Sequence, residues 1–262
     1  MRWPGPARWA AYFVEGHLAN LFGGARYLAG LDRGRWKRVA QAADIAEQDA
    51  DEQLYTHPVV EIGKRLFDIV LALIALAVLT ILFVPIALAI RLDSKGPILY
   101  RQLRVGRAMP RYTQLFHLIK FRSMRVDAEH LTGPIWSAQN DPRITSVGRF
   151  LRKTRLDELP QCINVLRGEM SIVGPRPERP SFFHKLETEI PFYTERTYGL
   201  RPGITGLAQV NQGYDGSVED VRAKVLYDHA YAMHLLQPLD WLRTDIGIIL
   251  KTFTVMAFGK GR

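Results

Sequence analysis

The chain has 262 residues, and its 35 lysines and arginines outweigh 26 aspartates and glutamates to give a net charge of +9. Such a surplus points to an anionic partner: nucleic acid, an anionic lipid surface or a phosphorylated substrate. The single cysteine, Cys162, excludes an internal disulfide and a multi-cysteine zinc site, and suits a protein facing a reducing cytosol.

Residues 1–57 read as an extension. Trp3, Trp9, Tyr12, Phe13, Leu18, Leu21 and Phe22 are interleaved with Arg2, Arg8, His17 and Arg26. This roughly helical pattern fits a helix lying in a membrane interface and equally an ordinary packed amphipathic helix. It lacks the compact apolar core and cleavage site of a signal peptide. Arg33 to Glu52 reads as a polar helix or linker.

Ile69 to Ile90 is a run of 22 residues without a charge. At about 1.5 Å per residue it reaches across a bilayer core of about 30 Å. Pro85 inside the run removes a backbone donor and predicts a kink at Val84–Pro85. Lys64 and Arg65 precede the run, and Arg91 and Lys95 follow it. Cations at both ends favour a segment that enters, bends and leaves by the same face, but their number leaves re-entrant and spanning readings both open.

Gly96-Pro97 breaks the pattern. Ile98–Val105 and Leu115–Phe121 predict a β-hairpin closing on Lys120–Met124. The period of two places Lys120 and Arg122 on one strand face, where a solvated surface is the plain expectation. Ser146 is a candidate cap for a helix over Val147–Thr154, with Arg149, Arg152 and Lys153 on a cationic side.

The stretch Arg152–Pro160 then sets an acidic pair, Asp157 and Glu158, directly after a run of cations. Asp157 is a candidate N-cap for a helix that admits Pro160 in its first turn and ends near Gly168. Arg176 lies between Pro175 and Pro177, so it sits in an extended frame. Arg201 opens a second Gly/Pro-rich turn, Arg201–Gly206. Such turns are often structural, yet an arginine beside proline in both suits phosphate recognition. From Tyr227 to Phe258 the chain reads as helical. Its apolar stripe of Leu239, Trp241, Leu242, Ile246, Ile249, Leu250 and Phe253 reads first as a core face and second as a membrane interface. The chain contains no Walker loop, no Gly-x-Gly-x-x-Gly after a strand and no paired-histidine metal motif.

Taken together, Lys64–Asp68, Gly96-Pro97, Lys120–Met124, Leu156–Gln161, Val173–Pro177 and Arg201–Gly206 resemble, in order and spacing, the bacterial sugar transferases. These are the monotopic polyprenyl-phosphate phosphoglycosyltransferases, and the resemblance covers about residues 62–256. It implies a helix-rich α+β fold with a re-entrant helix broken near Pro85 and amphipathic interface helices. The corresponding division is an extension (1–57), a re-entrant membrane region (58–95) and a cytosolic catalytic domain (96–262).

The implied reaction moves a sugar 1-phosphate from a UDP-sugar to undecaprenyl phosphate and releases UMP. It begins exopolysaccharide, capsule, O-antigen or glycan assembly on the cytoplasmic face of the bacterial inner membrane. In this resemblance Asp157 is the nucleophile, Glu158 binds Mg²⁺, and Arg152, Arg176, Lys120 and Arg201 bind phosphate. A carboxylate is ionised at neutral pH, so Asp157 needs no general base. The implied partners are the two substrates and membrane lipids, with no nucleic acid, and the extension is a candidate contact in a homodimer.

Two departures stand out. Val84 occupies the place of a small polar residue before the proline. The run Gln209–Asp215 lacks an arginine found in many relatives, for which Tyr214 or Arg222 is a substitute. Two other readings use the same residues: a basic membrane scaffold without catalysis, and a metal-dependent phosphodiesterase that hydrolyses a nucleotide sugar.

Overall fold

The computed structural model describes residues 56–109, 112–126, 128, 141–212 and 217–258, with the backbone of 35–37. The aromatic part of the extension, and with it the expected interfacial helix and homodimer contact, lies outside the described residues. Within Arg33–Glu52, read as a helix or linker, Arg35–Lys37 forms a short strand, β1.

The longest element is α1, Pro58–Asp93, of 36 residues. Pro58 occupies its first turn, where a missing N–H costs nothing, and the His57 ring accepts from the Val59 amide at 3.2 Å. The backbone stays helical through Pro85, so the break expected at Val84–Pro85 is not what this helix shows. One stripe is buried: Asp68, Ala72, Leu79, Ile86 and Ile90 recur at intervals of four and seven. The other faces expose Val70, Ile74, Ile81, Val84 and Leu88.

The buried stripe of α1 packs on a hairpin of β2, Leu99–Ala108, and β3, Tyr112–Phe121. The hairpin expected from the apolar runs forms, and its antiparallel register pairs Leu99 with Phe121 and Tyr100 with Lys120. The strand β1 joins the far side of β3, giving the order β1-β3-β2. The rest of that core comes from Leu151 of α2, Ser146–Thr154, and from Cys162 and Val165 of α3, Cys162–Leu166.

Two short strands, β4 (Ser171–Val173) and β5 (Gly203–Thr205), run parallel. They bring the Gly-Pro-Arg-Pro turn against the Arg-Pro-Gly-Ile-Thr-Gly turn. A Cβ on Gly174 or Gly203 would overlap the backbone of the opposite turn, so this approach requires glycine. After β4 comes α4, Pro180–Glu189, and after β5 comes α5, Leu207–Asn211. The helical end divides into α6, Val218–His234, and α7, Pro238–Phe258.

Buried polar groups tie α1 to this body. Asp245 of α7 accepts from Lys64 Nζ at 2.7 Å, Tyr231 Oη at 2.8 Å and Trp241 Nε1 at 2.8 Å. Arg65 donates to the carbonyls of Val165 and Leu166 at 2.6 and 2.8 Å, closing the last turn of α3. Asp68 accepts from Ser171 Oγ and the Ile172 amide. At the other end Arg122 is buried and donates to the carbonyls of Ser94 and Lys95. Arg122 therefore lies just beyond β3 and seals the C-terminus of α1, instead of sharing a solvated strand face with Lys120. The apolar stripe of α7 divides likewise: Trp241 turns inward, while Leu239, Ile246, Leu250 and Phe253 are exposed and do not form a core face.

Candidate active site

The site is built where α2 meets the end of β3. Thr145, one residue before the expected Ser146, caps α2, its Oγ1 accepting from the Gly148 amide at 3.0 Å. A Cβ on Gly148 would overlap the Ser123 backbone, so the helix lies directly on the Lys120–Met124 stretch. It ends at Arg155, a non-glycine residue in the left-handed region at φ 57°. That turn redirects the chain into a 3-10 turn, Leu156–Gln161. Asp157 is the second residue of this turn and not an N-cap, so its carboxylate is not used to satisfy a helix end.

Asp157 is 7% exposed and its Oδ1 accepts no hydrogen bond. Burial, and next the neighbouring Glu158, push its carboxyl up to about 7, against the pull of Lys120, Arg152 and Arg155. In the substrate-free protein desolvation therefore works against the ionised form expected at neutral pH. Lys120 moves the other way, down to about 8, through burial and then the nearby Arg104, with Asp157 opposing and Arg176 and Arg152 reinforcing. Its Nζ lies 5.5 Å from the centre of the Tyr100 ring, its cross-strand partner.

Glu158 lies 3.4 Å from Arg155 Nη1 and 3.8 Å from Arg176 Nη1. The last contact brings the Gly-Pro-Arg-Pro turn to the acidic pair across the sequence. Lys120, Arg152 and Arg176 therefore gather around Asp157 and Glu158, as expected. Arg201 does not join them: its Nε donates to the Gly168 carbonyl at 3.2 Å, and it lines a small separate cavity with Lys64, Arg107 and Tyr231. Arg222 donates to the Glu189 carbonyl and faces Glu219 on α6, while Tyr214 lies outside the described residues. Pro85 lies within α1, in the segment carrying the exposed Ile81, Val84 and Leu88.

Sequence reasoning assigned no role to two members of the cluster. Arg155 stood in the cationic run and proves to be both the hinge before the acidic pair and a partner of Glu158. Arg104 is buried, donates to the Pro177 carbonyl at 2.9 Å and to Gln102 Oε1 at 2.7 Å, and is lowered to about 10, first by burial. Its signal was the alternation Tyr100, Gln102, Arg104, which a strand of period two puts on one face.

Among the described residues no three His, Cys, Asp or Glu side chains come together as an all-protein metal cage. The donor set fits Mg²⁺ nonetheless. That ion is commonly held by one or two carboxylates plus substrate phosphates. Glu158 supplies one carboxylate and the unpaired Oδ1 of Asp157 stands beside it.

Comparison with known proteins identifies the family. Residues 59–259 match the family model of bacterial sugar transferases. A UDP-N-acetylgalactosamine-undecaprenyl-phosphate N-acetylgalactosaminephosphotransferase of Aeromonas hydrophila is 39% identical over 79% of this chain and 47% of its own length. A UDP-glucose:undecaprenyl-phosphate glucose-1-phosphate transferase of Xanthomonas campestris is 44% identical over 73% of this chain and 38% of its own. An exopolysaccharide production protein of Rhizobium leguminosarum is 39% identical over 73% of this chain and 95% of its own. The chain thus spans about half or less of the first two relatives and nearly all of the third. With its acidic pair, its arginine-bearing turns and the helix beneath them all inside the matched region, the chain belongs to the bacterial sugar transferase family.

Proposed function

We propose that this protein transfers a sugar 1-phosphate from a UDP-sugar to undecaprenyl phosphate through a covalent intermediate on Asp157. The observation that carries the reading is one buried carboxylate with an unpaired oxygen, set beside Glu158 and surrounded by Lys120, Arg152, Arg155 and Arg176. Asp157 attacks the sugar-bearing phosphorus, the bond to the UMP oxygen breaks, and UMP leaves. A phosphate oxygen of the lipid then attacks the same phosphorus, and the bond to Asp157 breaks to regenerate the carboxylate. Phosphoryl transfer calls for positioning and charge neutralisation, which the surrounding cations supply. Mg²⁺ held by Glu158 and substrate phosphates would add to that neutralisation and favour the ionised form of Asp157.

The same reading places the protein on a membrane. The helix α1 is about 54 Å long at 1.5 Å per residue. Lys64, Arg65 and Asp68 bind one end to the catalytic body, and Arg122 binds the other. A helix held at both ends by one polar body cannot deliver those ends to opposite sides of a bilayer. This supports a monotopic placement on the cytoplasmic face of the bacterial inner membrane, with the exposed faces of α1 and α7 against lipid. The relatives' names support undecaprenyl phosphate and a nucleotide sugar as substrates and a step in exopolysaccharide or related glycan assembly as the role.

The test is intact-protein mass spectrometry of detergent-solubilised enzyme incubated with Mg²⁺ and a panel of UDP-sugars, without lipid acceptor. An added sugar-phosphate mass on wild type, missing from Asp157→Asn, is expected and identifies the sugar. Equal UMP release by both proteins without adduct would sink Asp157 as nucleophile. Free sugar phosphate released without lipid would indicate a phosphodiesterase, and no turnover with intact lipid binding a scaffold.

A further inference from the structure

The turn carrying Arg176 is held in an unusual way. Pro175 and Pro177 offer no amide hydrogens, so the backbone at both positions can be secured only through carbonyls. Four successive carbonyls accept from three different parts of the chain. Pro175 accepts from the Gly203 amide at 2.9 Å, and Glu178 from the Val105 amide at 2.8 Å. Pro177 accepts from Arg104 Nη1 at 2.9 Å, and Arg176 itself from Arg196 Nη2 at 3.1 Å.

Arg196 lies in a short 3-10 turn, Glu195–Thr197, far from Arg176 in sequence. It is 6% exposed, and its Nη1 donates to Asp228 Oδ2 of α6 at 2.8 Å, with Asp228 3% exposed. Its guanidinium lies 4.6 Å from the Tyr193 ring centre and donates to the Tyr193 hydroxyl. A buried ion pair adds little stability over an apolar pair of the same volume. What an apolar pair cannot do is hold a carboxylate, a phenol and a carbonyl in one plane, which the five donors of a guanidinium can.

We propose that Arg196, oriented by Asp228, is a positioning residue that fixes the Arg176 backbone so that the Arg176 guanidinium faces Glu158 and the substrate diphosphate. The proposal rests on the sugar-phosphate transferase reading for the identity of the ligand. A small misplacement of a phosphate-binding group costs on the order of ten- to a hundredfold in rate. Arg196→Lys keeps the charge opposite Asp228 but has no second arm for the Arg176 carbonyl.

The experiment is a double-mutant cycle in the full-length enzyme: wild type, Arg196→Lys, Arg176→Ala and the double variant. Each is assayed for kcat/KM toward the UDP-sugar and for melting temperature. Arg196→Lys should lose about tenfold or more in kcat/KM, and adding it to Arg176→Ala should cost nothing further, because both act on one guanidinium. Losses that add in full, or a loss that merely follows the fall in melting temperature, would overturn the proposal. The same four proteins are titrated with Mg²⁺-pyrophosphate. Weaker binding by Arg196→Lys, absent in the Arg176→Ala background, supports the proposal even if wild type turns over no UDP-sugar, which would sink the transferase reading instead. Equal pyrophosphate behaviour of wild type and Arg196→Lys would count against Arg196 alone.

Discussion

At the scale of single residues, the site carries an energetic cost. Burial, and next the neighbouring Glu158, hold the Asp157 carboxyl well above its ordinary value in the fold, up to about 7. Its folded value lies above its unfolded value, so between about pH 4 and 7 the folded chain keeps a proton that the unfolded chain has released. Stability therefore falls as pH rises through that window. Asp157→Asn should remove this effect, raising stability at pH 8 and leaving it nearly unchanged at pH 4. Thermal melts of both proteins at the two pH values check this; equal melting temperatures at pH 8 would mean the buried charge is stabilised in a way the cluster does not show. The same titration bears on rate. In single turnovers without lipid, formation of the Asp157 adduct should rise with pH through about 7 before Mg²⁺ is saturating, since only the ionised form attacks. An adduct rate that is flat from pH 5.5 to 8 would contradict it.

At the scale of elements, the motif Lys64–Asp68 is an anchor. Its three polar side chains reach α7, α3 and β4, and each ends on a buried partner. Lys64→Met leaves Asp245 buried with only the Tyr231 and Trp241 donors. Breaking such a pair from one side costs about 3–5 kcal/mol, so the variant should melt well below wild type in detergent. Lys64→Met together with Asp245→Leu should recover much of that loss, because no uncompensated charge remains. Failure of the double variant to recover would show that Lys64 serves the neighbouring cavity as well as the ion pair.

At the scale of the molecule, the proposed membrane placement turns on α1. Because both ends of α1 are held by one body, that placement puts Val59 and Leu92 on the same side of the bilayer. Single cysteines at these positions, in a Cys162→Ser background, should react equally with a membrane-impermeant maleimide in inside-out vesicles and not in right-side-out ones. Labelling of the two from opposite sides would replace the monotopic placement with a spanning one. The net charge of +9 suits the proposed arrangement, in which two anionic substrates and an anionic leaflet would meet the protein at one face.

Much of this was readable from the chain itself. The apolar run, the hairpin, the acidic pair and the two arginine-bearing turns follow from local rules: hydrophobic period, turn chemistry, and the chemical need of phosphate for cations. Those rules act between near neighbours, so they name elements and residue types. They do not say which distant groups meet. Only the tertiary fold decided that Arg122 seals α1 instead of facing solvent, that Asp157 sits inside a 3-10 turn with an unpaired oxygen, that Arg201 stands apart from the cluster, and that Arg104 and Arg196 brace the Arg176 turn. Each of these depends on burial and on contacts between groups well separated in sequence, 20 residues apart for Arg196 and Arg176 and 73 for Arg104 and Pro177, where desolvation changes what a charge can do and only packing determines which partner it finds.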